Sequence, residues 1–291
     1  MQDNLFFGNL KQSTGMRIFL FLVILLMSSL IGVALSTIFI FAGDTGMRIA
    51  QGLSSIMMFV VPPIVYYYLT RKEHQMHALG FRKLAHPWWL ILIGVALMFV
   101  SIPFTTRLTT WNEGMNFGPT FQKLEDYLKA LEEAAQATTE KMLNVSTIGG
   151  LLLNLLIIAL IPAVGEEMTF RGVLQQSLTR RLNPHLAIIL SAAIFSFIHF
   201  QFYGFLPRMF LGILLGYMFY ITGSLWTSIL MHFVNNGTAV LLYYLDNKGT
   251  IDVDVDHFGA MSLGVTALSA MTVAGVIVWS WRKRQSSPTK R

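Results

Sequence analysis

The chain has 291 residues, of which 54% are hydrophobic and only 12% charged, about half the charge of an ordinary soluble domain. With a mean hydropathy of +0.58 and its apolar residues gathered in long blocks, it is excluded from the soluble globular enzymes and the disordered chains, and it reads as a polytopic all-α membrane protein. The absence of cysteine removes thiol catalysis, disulfide scaffolds and cysteine-held zinc or iron–sulfur sites.

A membrane-crossing helix needs about 20 predominantly apolar residues. The first such block, 18–42, follows Lys11 and Arg17. It is too long for a signal peptide, whose apolar region is roughly 7–15 residues. Further blocks lie at 49–70, 87–106 (opening on Trp88 and Trp89 at an interface), 143–165 continuing amphipathically to 181, 184–205, 209–222, 224–245 and 259–281. They amount to about eight transmembrane helices in a single membrane-embedded domain over 1–291, with a core at about 143–245 and a basic disordered tail at 282–291. The one long connection, 107–146, repeats Phe121, Leu124, Leu128, Leu131 and Ala135 at helical spacing. It predicts an amphipathic helix lying on the outer surface or capping the bundle. A single helix over 143–181 would be about 60 Å long, so a break is expected at 162–165 or at the glycine pair 149–150.

The net charge of +6 has a direction. With the N-terminus inside, the inner segments hold Arg71, Lys72, Arg82, Lys83, Arg180, Arg181, Arg282, Lys283 and Arg284. Most acids, with the run Asp252, Asp254, Asp256, then fall outside. Both termini are therefore expected in the cytoplasm, with the protein in the plasma (inner) membrane. The basic excess is an orientation signal, and no nucleic-acid partner is expected.

Ionisable residues at membrane depth are costly, roughly 2.5–3.5 kcal/mol at a helix centre, and mark candidate sites. His74, His77 and His86 fall in or beside an inner loop, His185 starts a helix and His257 lies in an outer loop. His199 and His232 are flanked by apolar sequence on both sides, as are the adjacent Glu166 and Glu167. Counted at 1.5 Å per residue from the cytoplasmic ends, Glu166 and His199 lie about 21–22 Å deep, and His232 and Asn236 about 12 and 18 Å. Convergence is geometrically allowed.

Glu167 and Arg171 are four residues apart on one helix face and can pair, leaving Glu166 free for another partner. His232 and Asn236 likewise share a face. A carboxylate beside an imidazole can deprotonate a water. An imidazole beside a carboxamide can donate to an oxyanion. These are the parts for hydrolysis of an amide bond by an activated water. Each feature alone has a structural reading: a buried histidine or asparagine as interhelical glue, Glu167–Arg171 as a packing ion pair.

Two alternatives stand beside that reading. One places a divalent metal such as zinc on Glu166, His199 and His232. The other is a non-catalytic membrane protein, an immunity factor or scaffold; transport is disfavoured because the polar groups have no inverted counterpart in the N-terminal half. HExxH and GxGD are absent. GLSS at Gly52 leaves Ser54 without a suitably placed histidine. DVDVD lacks the calcium-loop glycine, His257 standing in its place. Gly212 and Gly216 form a GxxxG read as helix packing within the chain.

EEMTFR, with Glu166, Glu167 and Arg171, resembles the EExxxR motif of the CAAX-processing and bacteriocin-immunity (CPBP or Abi) family of intramembrane proteases. FSFIH resembles its FxxxH motif through Phe195 and His199, and HFVNN its third motif through His232 and Asn236. The motif-bearing resemblance covers about 163–242. It implies an eight-helix fold with the site inside the bilayer, opening toward the cytoplasm. By resemblance to the type II CAAX prenyl proteases, Glu166 and His199 would hold the nucleophilic water, and His232 and Asn236 would form the oxyanion hole. Glu167 and Arg171 would orient the site. The implied activity is glutamate-dependent endopeptidase cleavage of a membrane-anchored or prenylated peptide or protein, with the lipid bilayer as partner and no cofactor.

Overall fold

The computed structural model describes residues 14–70, 75–84, 88–255 and 257–286. Lys11, Arg71, Lys72, His74, His86, Asp256 and residues 287–291 of the expected tail lie outside the described residues. The chain is an all-α polytopic membrane protein, with no strand among the described residues.

Helix α1 (Thr14–Ile40) folds back on α2 (Gly43–Thr70) through a tight turn, and α1 presents most of its side chains outward, as a lipid-facing helix does. A short α3 (Gln75–Leu79) leads to α4 (Trp89–Val100) and α5 (Ile102–Glu113), which meet at a 44° bend. The amphipathic α6 (Gln122–Leu143) precedes α7 (Ile148–Leu178), the helix of the two glutamates. Then come α8 (Pro184–Phe197), α9 (Phe205–Thr222), α10 (Leu225–Asn247) and α11 (Leu263–Ser286).

Among the described residues five helices are long and apolar enough to cross a membrane, or six if the bent α4–α5 pair is one span. The expected count of about eight therefore includes two helices of a different kind. α8 has 14 residues, about 21 Å, against a hydrocarbon core of about 30 Å. α10 has the length to cross, but His232, Asn235 and Asn236 keep it from being as apolar as the five. The groups that make it interesting also make it a poor lipid-crossing helix. At the C-terminus, helix α11 continues to Ser286, so the first residues of the expected tail are helical.

No break occurs at 162–165 or at 149–150. α7 begins after Thr147, whose side chain accepts from Gly150 N, and the chain leaves α6 at Asn144. The strain of so long a helix is taken up by π-helical turns at Leu155–Leu160 and Met168–Gln175, with a third in α2 at Ile56–Val60. Wider turns release backbone carbonyls from their usual i→i−4 donors, and in an apolar environment each needs another partner. Cross-helix side chains supply them. Thr169 donates to Phe59 O (2.9 Å), Ser191 to Phe170 O (3.1 Å) and Tyr67 to Gly172 O (3.0 Å). Asn236 reaches Ile158 O at 3.5 Å.

The two apolar cores meet at the motif helices. Met231, beside His232, belongs to a cluster with Leu97, Met218 and Val273. Met168, beside Glu167, belongs to another with Phe21, Tyr66 and Leu225. Gly212 and Gly216 pack within the chain, as expected. A Cβ at Gly212 would meet Ala192, and one at Gly216 would meet Gln175 and Ile188.

α6 is the expected amphipathic helix, with Leu128, Leu131 and Ala135 half-buried, but it also turns two acids inward. Phe121 and Leu124 are exposed, whereas Glu125 is buried and Glu132 half-buried. The surface α6 covers is a row of unpaired backbone amides: Glu125 accepts from Phe117 N and Glu132 from Tyr203 N, both at 3.0 Å. Carboxylates suit that surface better than leucines do.

Candidate active site

The short α-helical stretch Ile161–Glu167 between two π-helical segments carries both glutamates, and the wider turns set the direction in which they project. Glu167 and Arg171 pair at 2.7 Å, with side chains 0% and 1% exposed. The Arg171 guanidinium also donates to Gly212 O at 2.8 Å, and Gln175 one turn on donates to Gly216 O at 3.0 Å. The two glycines thus allow α9 to come close enough to offer its carbonyls to α7. One buried cation holds a carboxylate and a neighbouring helix together.

The pair is not closed, as the i,i+4 spacing alone suggested. His232 of α10 brings Nδ1 to 3.0 Å from the same Glu167 oxygen that Arg171 uses, and its Nε2 faces Glu166 at 3.7 Å. The imidazole therefore bridges the two glutamates. Four of the six expected site residues, Glu166, Glu167, Arg171 and His232, form one buried polar cluster.

His199 and Asn236 stand at its margin. His199 lies two residues past the end of α8, with Nδ1 2.8 Å from Phe195 O. A carbonyl only accepts, so Nδ1 carries the proton, and a neutral His199 presents a lone pair at Nε2. Its charge interactions reach Glu166 and His232. Asn236 is one turn from His232; its Oδ1 accepts from Asn235 Nδ2 at 3.2 Å and its own amide makes a long bond to Ile158 O. His232 obeys the opposite logic. With Nδ1–H given to Glu167, its Nε2 can donate only if the ring is doubly protonated.

Phe195 was taken from sequence only as part of a motif. In the fold its ring meets His199 edge-on at 5.0 Å, His232 at 6.1 Å and the Arg171 guanidinium at 5.1 Å. It sets the spacing of three site groups, and the apolar FSF context gave no sign of that. The loop after His199 is also strongly held. Asn112 binds both Phe202 O (3.0 Å) and Leu206 N (2.8 Å), and Ser196 donates to Phe205 O. Phe200, the next residue, is the one non-glycine with positive φ (53°) among the described residues. An aromatic residue is strained there, and it persists because its surroundings fix the loop.

Ser54 bonds Ser36 across the α1–α2 packing at 2.7 Å and takes no part in the cluster. A cavity of about 460 Å³ between α9 and α11, lined by Phe210, Tyr217, Val273 and Trp281 among others, contains none of the site residues. Among the described residues no group of three or more His, Asp or Glu is arranged as a metal-binding set.

Residues 148–238 match the family model described as type II CAAX prenyl endopeptidase Rce1-like. The matched segment runs through α7–α10 and contains all six candidate residues, which bears out the resemblance to the CPBP or Abi proteases. No curated protein and no solved structure matches the chain.

Proposed function

We propose that this protein is an intramembrane endopeptidase of the CAAX-processing type, hydrolysing a peptide bond of a membrane-anchored or prenylated substrate. The observation that carries the reading is the opposite wiring of the two imidazoles. His199 is tied through Nδ1 to a carbonyl, so Nε2 is a proton acceptor. His232 is tied through Nδ1 to a carboxylate that Arg171 keeps ionised, so its second nitrogen can be held as a donor. A base and an oxyanion donor are what water-driven amide hydrolysis needs.

In this reading Glu166 and His199 hold the water, and a proton passes to one of them as oxygen attacks the carbonyl carbon. The developing oxyanion is met by His232 Nε2–H and the Asn236 amide. The proton then goes to the departing amine as the C–N bond breaks. Glu167 and Arg171 are positioning residues that act through His232. No metal is required; both termini lie in the cytoplasm, in the plasma (inner) membrane.

The test is cleavage of a membrane-tethered peptide library in liposomes by wild type and by Glu166→Ala. Turnover should appear in wild type only and survive exhaustive chelation. Loss on chelation with recovery on adding zinc would select the metal alternative on Glu166, His199 and His232. Equal turnover by both proteins would remove the assignment to Glu166.

A further inference from the structure

Arg171 is spent on Glu167 and Gly212 O, but a second cation bears on the same site. Arg208, in the first turn of α9, is bonded to the loop that follows His199. Its guanidinium is anchored, donating to Gln201 O at 3.1 Å and to Gln201 Oε1 at 2.9 Å, and Gln201 is two residues from His199. Its nearest carboxylate, Glu132 of α6, stands 3.8 Å away, beyond hydrogen-bond distance. Glu132 is instead bonded to Tyr203 N. A guanidinium has five N–H donors, and the bonds to Gln201 leave several uncommitted. With 22% of the side chain exposed, the group can still be reached.

We propose that Arg208 is a specificity-determining residue that receives the free C-terminal carboxylate of the substrate, so that the enzyme measures its cut from the chain end. The inference rests on the endopeptidase reading above. A carboxylate carried into a low-dielectric site must be paired there. A chain entering from the end of α7 that carries Arg180 and Arg181 puts its own terminus deepest, and Arg208 lies at the opposite end, at the start of α9 and bonded to the loop beyond His199. In a C-terminal CAAX sequence the carboxylate lies three residues past the prenylated cysteine, a span of about 10 Å when extended. Planar, anchored and incompletely paired, the Arg208 guanidinium suits a carboxylate better than a lysine would. Glu132 keeps the cation company in its absence.

The experiment compares one farnesylated CAAX peptide in two forms, a free C-terminal acid and a C-terminal amide. Wild type should prefer the acid in kcat/KM by about 10- to 150-fold, the range of a charge-assisted hydrogen bond. In Arg208→Gln that ratio should collapse to near one. Glu132→Gln, which keeps Arg208 and removes its resident carboxylate, should widen the ratio, and it carries the test if Arg208→Gln does not fold. No acid preference in wild type overturns the proposal, as does an equal loss on both peptides in Arg208→Gln or an unchanged ratio in Glu132→Gln. Binding of both peptides to Glu166→Gln, with and without Arg208→Gln, separates the two levels. Acid-selective binding that depends on Arg208, without turnover by wild type, sinks the endopeptidase reading and upholds the site.

Discussion

His232 and His257 are both imidazoles set between two carboxylates, yet their surroundings differ. His257 has Nδ1 2.9 Å from Asp254 and Nε2 3.1 Å from Glu113, and 40% of its side chain is exposed. The hydrogen bonds to Glu113 and then Asp254 raise its pKa above 6.5. Water and salt screen the rest, so such a cluster forms and dissolves at little cost. His232 has Glu167 and Glu166 at 3.0 and 3.7 Å with 3% of its side chain exposed, and there every charge must be answered by another. The buried version recruits Arg171, the carbonyl of Gly212 and the ring of Phe195; the exposed version needs no such shell. Burial turns an ordinary ion cluster into a poised one.

The largest effects should come from the groups that face the water. Glu166→Gln and His199→Ala should each lower kcat by about 10²–10⁴-fold while thermal unfolding and helical content stay at wild-type values. Near-wild-type cleavage by either would end the water-activation assignment.

Next is the pair that separates stability from chemistry. Arg171→Met alone strands a buried carboxylate and should cost about 3–5 kcal/mol. Glu167→Gln combined with Arg171→Met should recover most of that stability. The amide oxygen can still accept from His232 Nδ1, and only the bond to Gly212 O is lost. Activity at neutral pH should nevertheless stay lost, because removing the pair changes the charge balance beside Glu166 and His232. A stable and active double variant, scored by melting and turnover together, would show the pair to be scaffolding.

Asn236→Ala removes one oxyanion donor and should slow turnover by about 10²–10³-fold. Its two bonds, one long and the other to the adjacent and exposed Asn235 amide, predict little change in stability. The smallest effect is expected at His257. Its raised pKa stabilises the fold fully below pH 6.5, and that contribution fades as pH rises through the folded-state value. His257→Gln should therefore lower stability at pH 5–6 by no more than the ~0.2–1 kcal/mol of exposed pairs, and leave it unchanged near pH 9. A large loss at both pH values would mean that the two histidine clusters are not so different after all.

Membrane class, most helical positions and the buried cluster of Glu166, Glu167, Arg171 and His232 were legible in the chain, whereas the buried Asn112, Glu125 and Gln175 were not. Apolar block length and the rarity of ionisable residues at depth are local properties, fixed by transfer energies that each residue carries with it. The i,i+4 pairing of Glu167 with Arg171 followed from helix geometry alone. What the sequence could not assign was the partner across helices. That His232 stands between both glutamates, that Phe195 spaces three site groups, and that Arg208 of α9 lies near Glu132 of α6 all depend on how the helices are packed. The π-helical turns in α7 belong to this second class. Sequence offered proline and glycine as places for a break, whereas packing kept the helix whole and moved its free carbonyls to side chains on other helices. α6 shows the same division: the regular spacing of its apolar residues made the helix legible, but the inward place of Glu132 follows from the amide of Tyr203, 71 residues away, a demand created only when distant segments meet.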